Sequence, residues 1–308
     1  MSFLNKIFEN PEAQNPKKEN DSLLTGCFIE DIKVEGGVAK TYDYSPNSGH
    51  LKSEIPLIVA PGCGGTEALY HEDIREFVDA FGRRVITLDH PKRHKHAQSV
   101  TSKIGEIKVK ARNILDIIHQ KNLEKVDIVA HSRGAIDAIL AASEHPEYIR
   151  NIVLVAPAGF MKDDSFRKLA LRFAQNIFSR RPDSLAHIPL SEQEKKLASW
   201  SFKIETILHC VYGNLLNILE EIKEIAESHV YEKLGALKEH GVKIIIIAPV
   251  DDKVFPIGKL QEMVRSQDIN GFLSVVGEHG SFPRITKFAE AIGGMLDTLE
   301  GKEEPLPE

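Results

Sequence analysis

One serine occupies a position from which nucleophilic chemistry could be done. In Val126-Asp-Ile-Val-Ala-His-Ser-Arg-Gly-Ala-Ile-Asp-Ala-Ile-Leu140, a short apolar run from Val126 to Ala130 passes through Ser132. It then becomes a helix-period pattern marked by Ile136, Ile139 and Leu140. The spacing predicts a strand that turns sharply into a helix, with Ser132 at the corner. Ala130 and Gly134, two residues to either side, are small, as so tight a turn requires, because larger side chains there would collide. The turn presents the hydroxyl at the carboxyl end of the strand. The helix that follows offers a backbone N–H from Arg133 with no helical partner, and its dipole favours nearby negative charge. This is the geometry of a nucleophile elbow, written here as Ala130-His-Ser-Arg-Gly134, with Ala130 in place of the usual first glycine. The five-residue pattern by itself is common; the strand before it and the helix after it give it weight.

The elements needed to position that serine are written along the chain as alternating strands and helices. Phe28 to Tyr44 alternates apolar and polar residues about Gly36-Gly37 and reads as a β-hairpin. Ile55 to Ala60, Arg84 to Asp89, Asn151 to Ala156, Lys243 to Ala248 and Phe272 to Val276 are continuous apolar runs, the mark of strands covered on both faces. Helical stripes separate them: Ile74, Phe77, Val78 and Phe81, closed by Gly82; then Ile104, Ile107, Ala111, Ile114 and Ile118; then a last helix from about Thr286 to Leu299. Alternation of this kind predicts an α/β fold, a mostly parallel sheet with helices on both faces. The loops after strands lie at its carboxyl edge, where ligands bind. Two of them are distinctive: Pro61-Gly62-Cys63-Gly64-Gly65-Thr66, with Thr66 able to cap the next helix, and the basic run Lys92-Arg93-His94-Lys95-His96.

Between Phe160 and Gly241 no strand is expected. Phe166, Leu169, Phe173 and Ile177 mark one amphipathic helix, Ser191-Glu-Gln-Glu194 is a capping-box signature for another carrying Leu197, Trp200 and Ile204, and Leu215, Leu219, Ile222 and Ala226 mark a third. Roughly eighty helical residues exceed an ordinary crossover, so 160–241 is expected to be a helical cap or lid over the sheet edge. The remaining boundaries follow: a flexible N-terminal segment at 1–22, an α/β core at 23–159 and 242–300, and a disordered acidic tail at 301–308.

Composition narrows the function classes. Of 308 residues, 42% are hydrophobic and 27% charged, enough apolar surface for a large core. A formal net charge of −6 argues against nucleic acid as a partner, because neutralising phosphates takes an excess of Lys and Arg. Three cysteines, Cys27, Cys63 and Cys210, are an odd and sparse set that predicts reduced thiols and a cytoplasmic setting. No Cys-x-x-Cys or His-Glu-x-x-His spacing suggests zinc. The first eight residues are too short and polar for a signal peptide or a span, so no stable membrane insertion is expected.

With these elements in order, the chain resembles the α/β-hydrolase superfamily in its lid-bearing form, over about Ile55 to Leu299. The resemblance rests on Pro61-Gly-Cys-Gly-Gly65, Ala130-His-Ser-Arg-Gly134, Asp252-Lys-Val-Phe-Pro256 and Gly277-Glu-His-Gly280, each following an expected strand. It implies Ser132 as nucleophile, His279 as general base and acid, Asp252 as the carboxylate that orients it, and the backbone N–H groups of Cys63 and Arg133 as an oxyanion hole. Asp252 stands four residues before Pro256, the spacing of the family's acid, whereas its neighbour Asp251 does not. Two features depart from the family's habit: Pro61-Gly62 where His-Gly is frequent, and the basic run in place of a Gly-x-Gly turn. The expected activity is a serine hydrolase that cleaves a small- to medium-chain carboxylic ester or thioester through an acyl-enzyme, needing no cofactor and no metal. Its partner would be a small-molecule acyl substrate. An acyltransferase on the same triad and a non-catalytic ligand-binding relative of the fold are the alternatives. Lys92, Arg93 and Lys95 would favour anionic substrates by point-charge attraction.

Overall fold

The computed structural model describes residues 26–35, 37–46, 51, 53–63, 74–75, 78, 82–91, 105–162, 164–179, 215–266, 269–280, 282 and 286–301. Eight strands form one sheet: β1 (Cys27–Val34), β2 (Gly37–Tyr44), β3 (Ser53–Ala60), β4 (Arg83–Asp89), β5 (Val126–His131), β6 (Ile149–Val155), β7 (Lys243–Pro249) and β8 (Gly271–Val275). Their order across the sheet is β1-β2-β4-β3-β5-β6-β7-β8. β1 pairs antiparallel with β2, and β2 antiparallel with β4, so the expected hairpin opens the sheet. From β4 to β8 every pairing is parallel. This is the mostly parallel α/β architecture expected from the sequence.

The apolar runs form strands because both of their faces are covered. Side chains alternate across each strand: Ile58, Ile86, Ile128, Ile152, Ile244 and Ile246 enter one core, and Leu57, Val59, Val85, Val129, Val153, Ile245 and Ile247 enter the other. The first core is closed by α1 (Gly105–Gln120) and α2 (Gly134–Glu144), and the second by α7 (Thr286–Glu300) through Phe288, Ile292 and Leu296. Ile74 and Val78, from the helix expected before Gly82, are fully buried in the second core, and Gly82 takes φ +56, the left-handed conformation that ends a helix without a Cβ penalty. Each such buried Ile, Leu or Phe contributes about 1.5–3 kcal/mol of transfer free energy.

The chain order makes a switch point. From β3 the chain goes to β4 on one side, then passes back over β3 to β5 on the other. In open α/β sheets, ligands bind at the carboxyl ends of the strands that flank such a switch point.

After β6 come α3 (Phe166–Ser179) and α4 (Leu215–Glu227), which pack against each other, and α5 (Leu234–Glu239); α6 (Ile257–Ser266) follows β7. Within the segment expected as a cap, Leu169, Ile222, Ile225, Val230, Leu234 and Leu237 are buried in the first core. α5 rests on α2 and β7, so the end of this segment belongs to the layer that covers the sheet. Phe166, expected on the buried stripe of α3, is instead 39% exposed, because it stands in the open first turn while Leu169 carries the burial. The capping box at Ser191, Leu197, Trp200 and Ile204 lie outside the described residues, as does the basic run Lys92 to His96.

Candidate active site

The corner at Ser132 has the backbone that the sequence requires of it. Ser132 has φ +50, a left-handed conformation rare for a residue with a Cβ, which costs on the order of 1–3 kcal/mol. Three hydrogen bonds hold it there: its N–H donates to the Val155 carbonyl at 2.9 Å, and its carbonyl accepts from Ala135 N–H at 3.1 Å and Ala158 N–H at 3.0 Å. The helix can leave so abruptly because residue 134 is glycine. A Cβ there would stand 2.4 Å from the Ala60 carbonyl oxygen and 2.7 Å from that of Pro61. Ala130 pairs with Ala60 across the β3–β5 ladder, which keeps the two strand ends in register.

The ends of β7 and β8 bring two more side chains to the same edge. Val250 N–H donates to the Val275 carbonyl and Asp251 N–H to the Gly277 carbonyl, each at 3.0 Å, so the loops that follow leave together. His279 Nδ1 then lies 2.9 Å from Asp252 Oδ2, and His279 Nε2 lies 3.0 Å from Ser132 Oγ. Asp252 Oδ1 accepts the N–H groups of Val254 at 2.8 Å and Phe255 at 2.9 Å. A carboxylate only accepts, so the proton between Asp252 and His279 belongs on Nδ1, and Nε2 is left with its lone pair toward the serine hydroxyl. All three side chains are buried. Asp251 is exposed; of the two adjacent carboxylates it is Asp252 that reaches the imidazole.

His131 was not singled out by the sequence, yet it shapes this site. Its Nε2 lies 3.0 Å from the backbone carbonyl of His279. A carbonyl only accepts, so His131 donates, and it fixes the loop that carries His279 to the residue preceding the serine. The ring of Phe255 meets His279 edge-on with centroids 5.2 Å apart, and Phe173 of α3 does so at 6.1 Å. α3 thus reaches the imidazole.

The loop after β3 lies against the corner. A Cβ on Gly62 would come within 3.1 Å of His131 Nδ1 and 3.2 Å of the Ser132 Cβ, so glycine permits this approach and sets Cys63 on the segment facing Ser132. Cys63 and Arg133 therefore stand on the two segments that flank the serine.

Behind them lies a buried set of charges that sequence reading missed entirely. Arg133 pairs with Asp137 one turn along α2, and with Glu224 of α4 at 3.4 Å. Lys110 of α1 pairs with Glu221 of α4 at 2.5 Å, and Asn113 Nδ2 donates to His90 Nδ1 at 3.2 Å. Burial, aided by the neighbouring Lys110 and Arg133 charges, pushes His90 down to about 3, so its ring is neutral at ordinary pH. Burial, and then the Glu221 carboxylate beside it, raise the Cys63 thiol well above its usual range. Burial pushes the Glu221 carboxyl up, but Lys110, the Cys63 thiol and Arg133 together more than reverse this and hold it below the usual carboxylate range. For Glu224 burial prevails over Arg133 and the shift is upward. No cluster of three or more His, Cys, Asp or Glu side chains among the described residues could hold a metal ion. No helix among them is long and apolar enough to cross a membrane.

Comparison with known proteins agrees with this arrangement of strands. The family model described as alpha/beta hydrolase fold matches residues 55–280. A Mycoplasma pneumoniae protein named as an esterase/lipase is 25% identical, over 67% of this chain and 76% of its own. Ethanol acetyltransferase 1 of Wickerhamomyces anomalus is 23% identical over 44% of this chain, a match that spans 35% of that enzyme. Among solved structures, a bacterial membrane phospholipase A superposes with a TM-score of 0.64 at 14% identity, covering 92% of this chain and 91% of that one, a likeness of fold.

Proposed function

The chain belongs to the alpha/beta hydrolase fold family, and from that premise we propose that it is a serine hydrolase which cleaves a small- to medium-chain carboxylic ester or thioester through an acyl-enzyme. The observation that carries this reading is the series Ser132 Oγ, His279 and Asp252, linked at 3.0 Å and 2.9 Å. A serine hydroxyl is inert at neutral pH until a base accepts its proton. In the proposed reaction Ser132 Oγ attacks the carbonyl carbon as its proton passes to His279 Nε2. Asp252 stabilises the imidazolium that results. The negative charge on the carbonyl oxygen falls to the backbone N–H groups of Cys63 and Arg133. The imidazolium then protonates the leaving alcohol or thiol, a water deprotonated by His279 attacks the acyl carbon, and Ser132 leaves with its proton restored. Groups of this chain perform every proton transfer, so the reaction as written calls for no cofactor. Of the segment 160–241, the part before α5 is proposed as the cap that borders the acyl pocket, which the contact of Phe173 with His279 supports.

A second reading, acyl transfer to an alcohol in place of water, draws on the partial match to an enzyme named ethanol acetyltransferase. Turnover of p-nitrophenyl esters of graded chain length, with and without added ethanol, separates the two. The hydrolase reading expects release of the free acid in both cases, whereas an ethyl ester as the main product would establish transfer. Absence of any turnover by the wild type that exceeds Ser132→Ala would set both aside.

A further inference from the structure

The charges behind the serine are an expensive way to hold a helix. Arg133 and Asp137 are buried, and the pairs Lys110–Glu221 and Arg133–Glu224 close over them with α4. Among the described residues, Arg133 Nε, Asn113 Oδ1 and Glu221 Oε2 are buried with no hydrogen-bond partner. An incompletely satisfied buried network holds elements together less well than apolar packing of the same volume, and α4 already has Ile222, Ile225 and Ala226 buried in the core for that purpose. Such a departure from the best-packed solution is expected where function requires it. The network's attachments are also specific. Glu221 lies beside Cys63 and Glu224 bonds Arg133, and these are the two residues whose backbone N–H groups the proposed reaction uses.

We propose that Glu221 and Glu224 are positioning residues: by pairing with Lys110 and Arg133, with Glu221 beside Cys63, they register α4 against both walls of the oxyanion hole, so that the inserted helix sets the geometry of the hole. The inference rests on the serine-hydrolase reading and adds to it. An oxyanion donor works only when it is already aimed at the oxygen where charge develops, and Cys63 follows Gly62, a residue type that restrains the backbone least. A carboxylate on a packed helix supplies the missing restraint. Misplacing a reacting group by about 1 Å can cost on the order of 100-fold in rate.

The test compares Glu221→Gln, Glu224→Gln and Glu221→Asp with wild type and Ser132→Ala in the full-length protein, with folding checked by circular dichroism. Kinetics are measured on p-nitrophenyl acetate and p-nitrophenyl octanoate, and the iodoacetamide alkylation rate of Cys63 is read by peptide mass spectrometry. The expected result is a kcat that falls by up to about 100-fold, equally for both esters, with KM nearly unchanged, since the oxyanion is common to both substrates. Glu221→Asp should recover part of the loss. Alkylation of Cys63 should become several-fold faster in Glu221→Gln, because the charge that disfavours the thiolate is gone. Should Glu221→Gln not fold, the double variant Lys110→Met/Glu221→Met removes the pair without leaving a lone buried charge and should show the same loss of kcat. A changed chain-length preference with kcat intact would make α4 only a wall of the acyl pocket and overturn the proposal. An unchanged Cys63 alkylation rate would overturn it independently of catalysis. If Ser132→Ala retains wild-type turnover, the hydrolase reading itself has failed, and the positioning role with it.

Discussion

At the scale of single residues, the distinction that matters most is between two adjacent carboxylates. Asp252 uses one oxygen on the Val254 and Phe255 N–H groups and the other on His279, whereas Asp251 is exposed. Asp252→Asn should therefore leave the fold intact and lower kcat by roughly ten-thousand-fold, the loss known for the corresponding change in the well-studied serine-protease triad. Asp251→Asn should cost little. Steady-state kinetics with a thermal melt on each variant checks this, and a severe loss in Asp251→Asn alone would shift the assignment by one residue. His90 gives a second prediction, read in stability. Its folded pKa of about 3 lies below the ordinary 6.5, so below about pH 6.5 the unfolded chain binds a proton that the folded protein does not. Stability should be unaffected by this group above that pH and should decline as pH falls from about 6.5 toward 3, by an amount that water reduces because the residue is only partly buried. His90→Gln should flatten that part of a Tm-against-pH curve. Ser132 and Asp252 were legible in the sequence because local spacing identifies them: the corner between strand and helix, and the distance to Pro256. His131, Glu221 and the side-chain role of Arg133 were not. Their roles depend on partners up to 148 residues away, and a Lys or Glu on an amphipathic helix reads as part of a solvated face.

At the scale of elements, the apolar runs were the most legible feature. β7 begins at the expected Lys243, and β4 and β8 each begin one residue before the sequence placed them, within the margin by which strand ends fray. The order β3-β5 was not legible, since pairing partners are set by chain crossing and leave no local periodicity. The inserted helices were read in part: the α4 stripe is buried as its spacing requires, whereas Phe166 is exposed at the start of α3. Phe173 is the better probe of the proposed cap. It packs against Phe255 and His279, so Phe173→Leu should shift the preference among p-nitrophenyl esters of different length while Tm changes little, the cost of a modest change in shape being under about 1.5 kcal/mol. An equal loss of rate at all lengths would place α3 outside the acyl pocket.

At the scale of the whole molecule, the two edges of the sheet divide the work. The carboxyl edge carries the strained serine and an incompletely paired set of charges. The opposite edge carries a well-satisfied one. There Asp127, fully buried at the start of β5, accepts Arg83 Nη1 at 3.1 Å and Arg150 Nε at 2.9 Å, and Glu300 at the end of α7 accepts from both arginines at 2.5 Å. This ties the last helix to β4, β5 and β6. Asp127→Asn should lower stability by about 3 kcal/mol, because it leaves buried guanidinium charge short of a partner, while kcat per folded molecule stays unchanged; a chemical-denaturation curve with an activity assay on the folded fraction measures both. Covalent catalysis by Ser132 is the proposal on which the other roles depend. Its most direct test is to treat the protein with a fluorophosphonate and map the adduct by peptide mass spectrometry. The expected result is a single phosphonate on Ser132, absent in Ser132→Ala and formed far more slowly in His279→Ala. Equal labelling of wild type and Ser132→Ala, or an adduct at another residue, would contradict it.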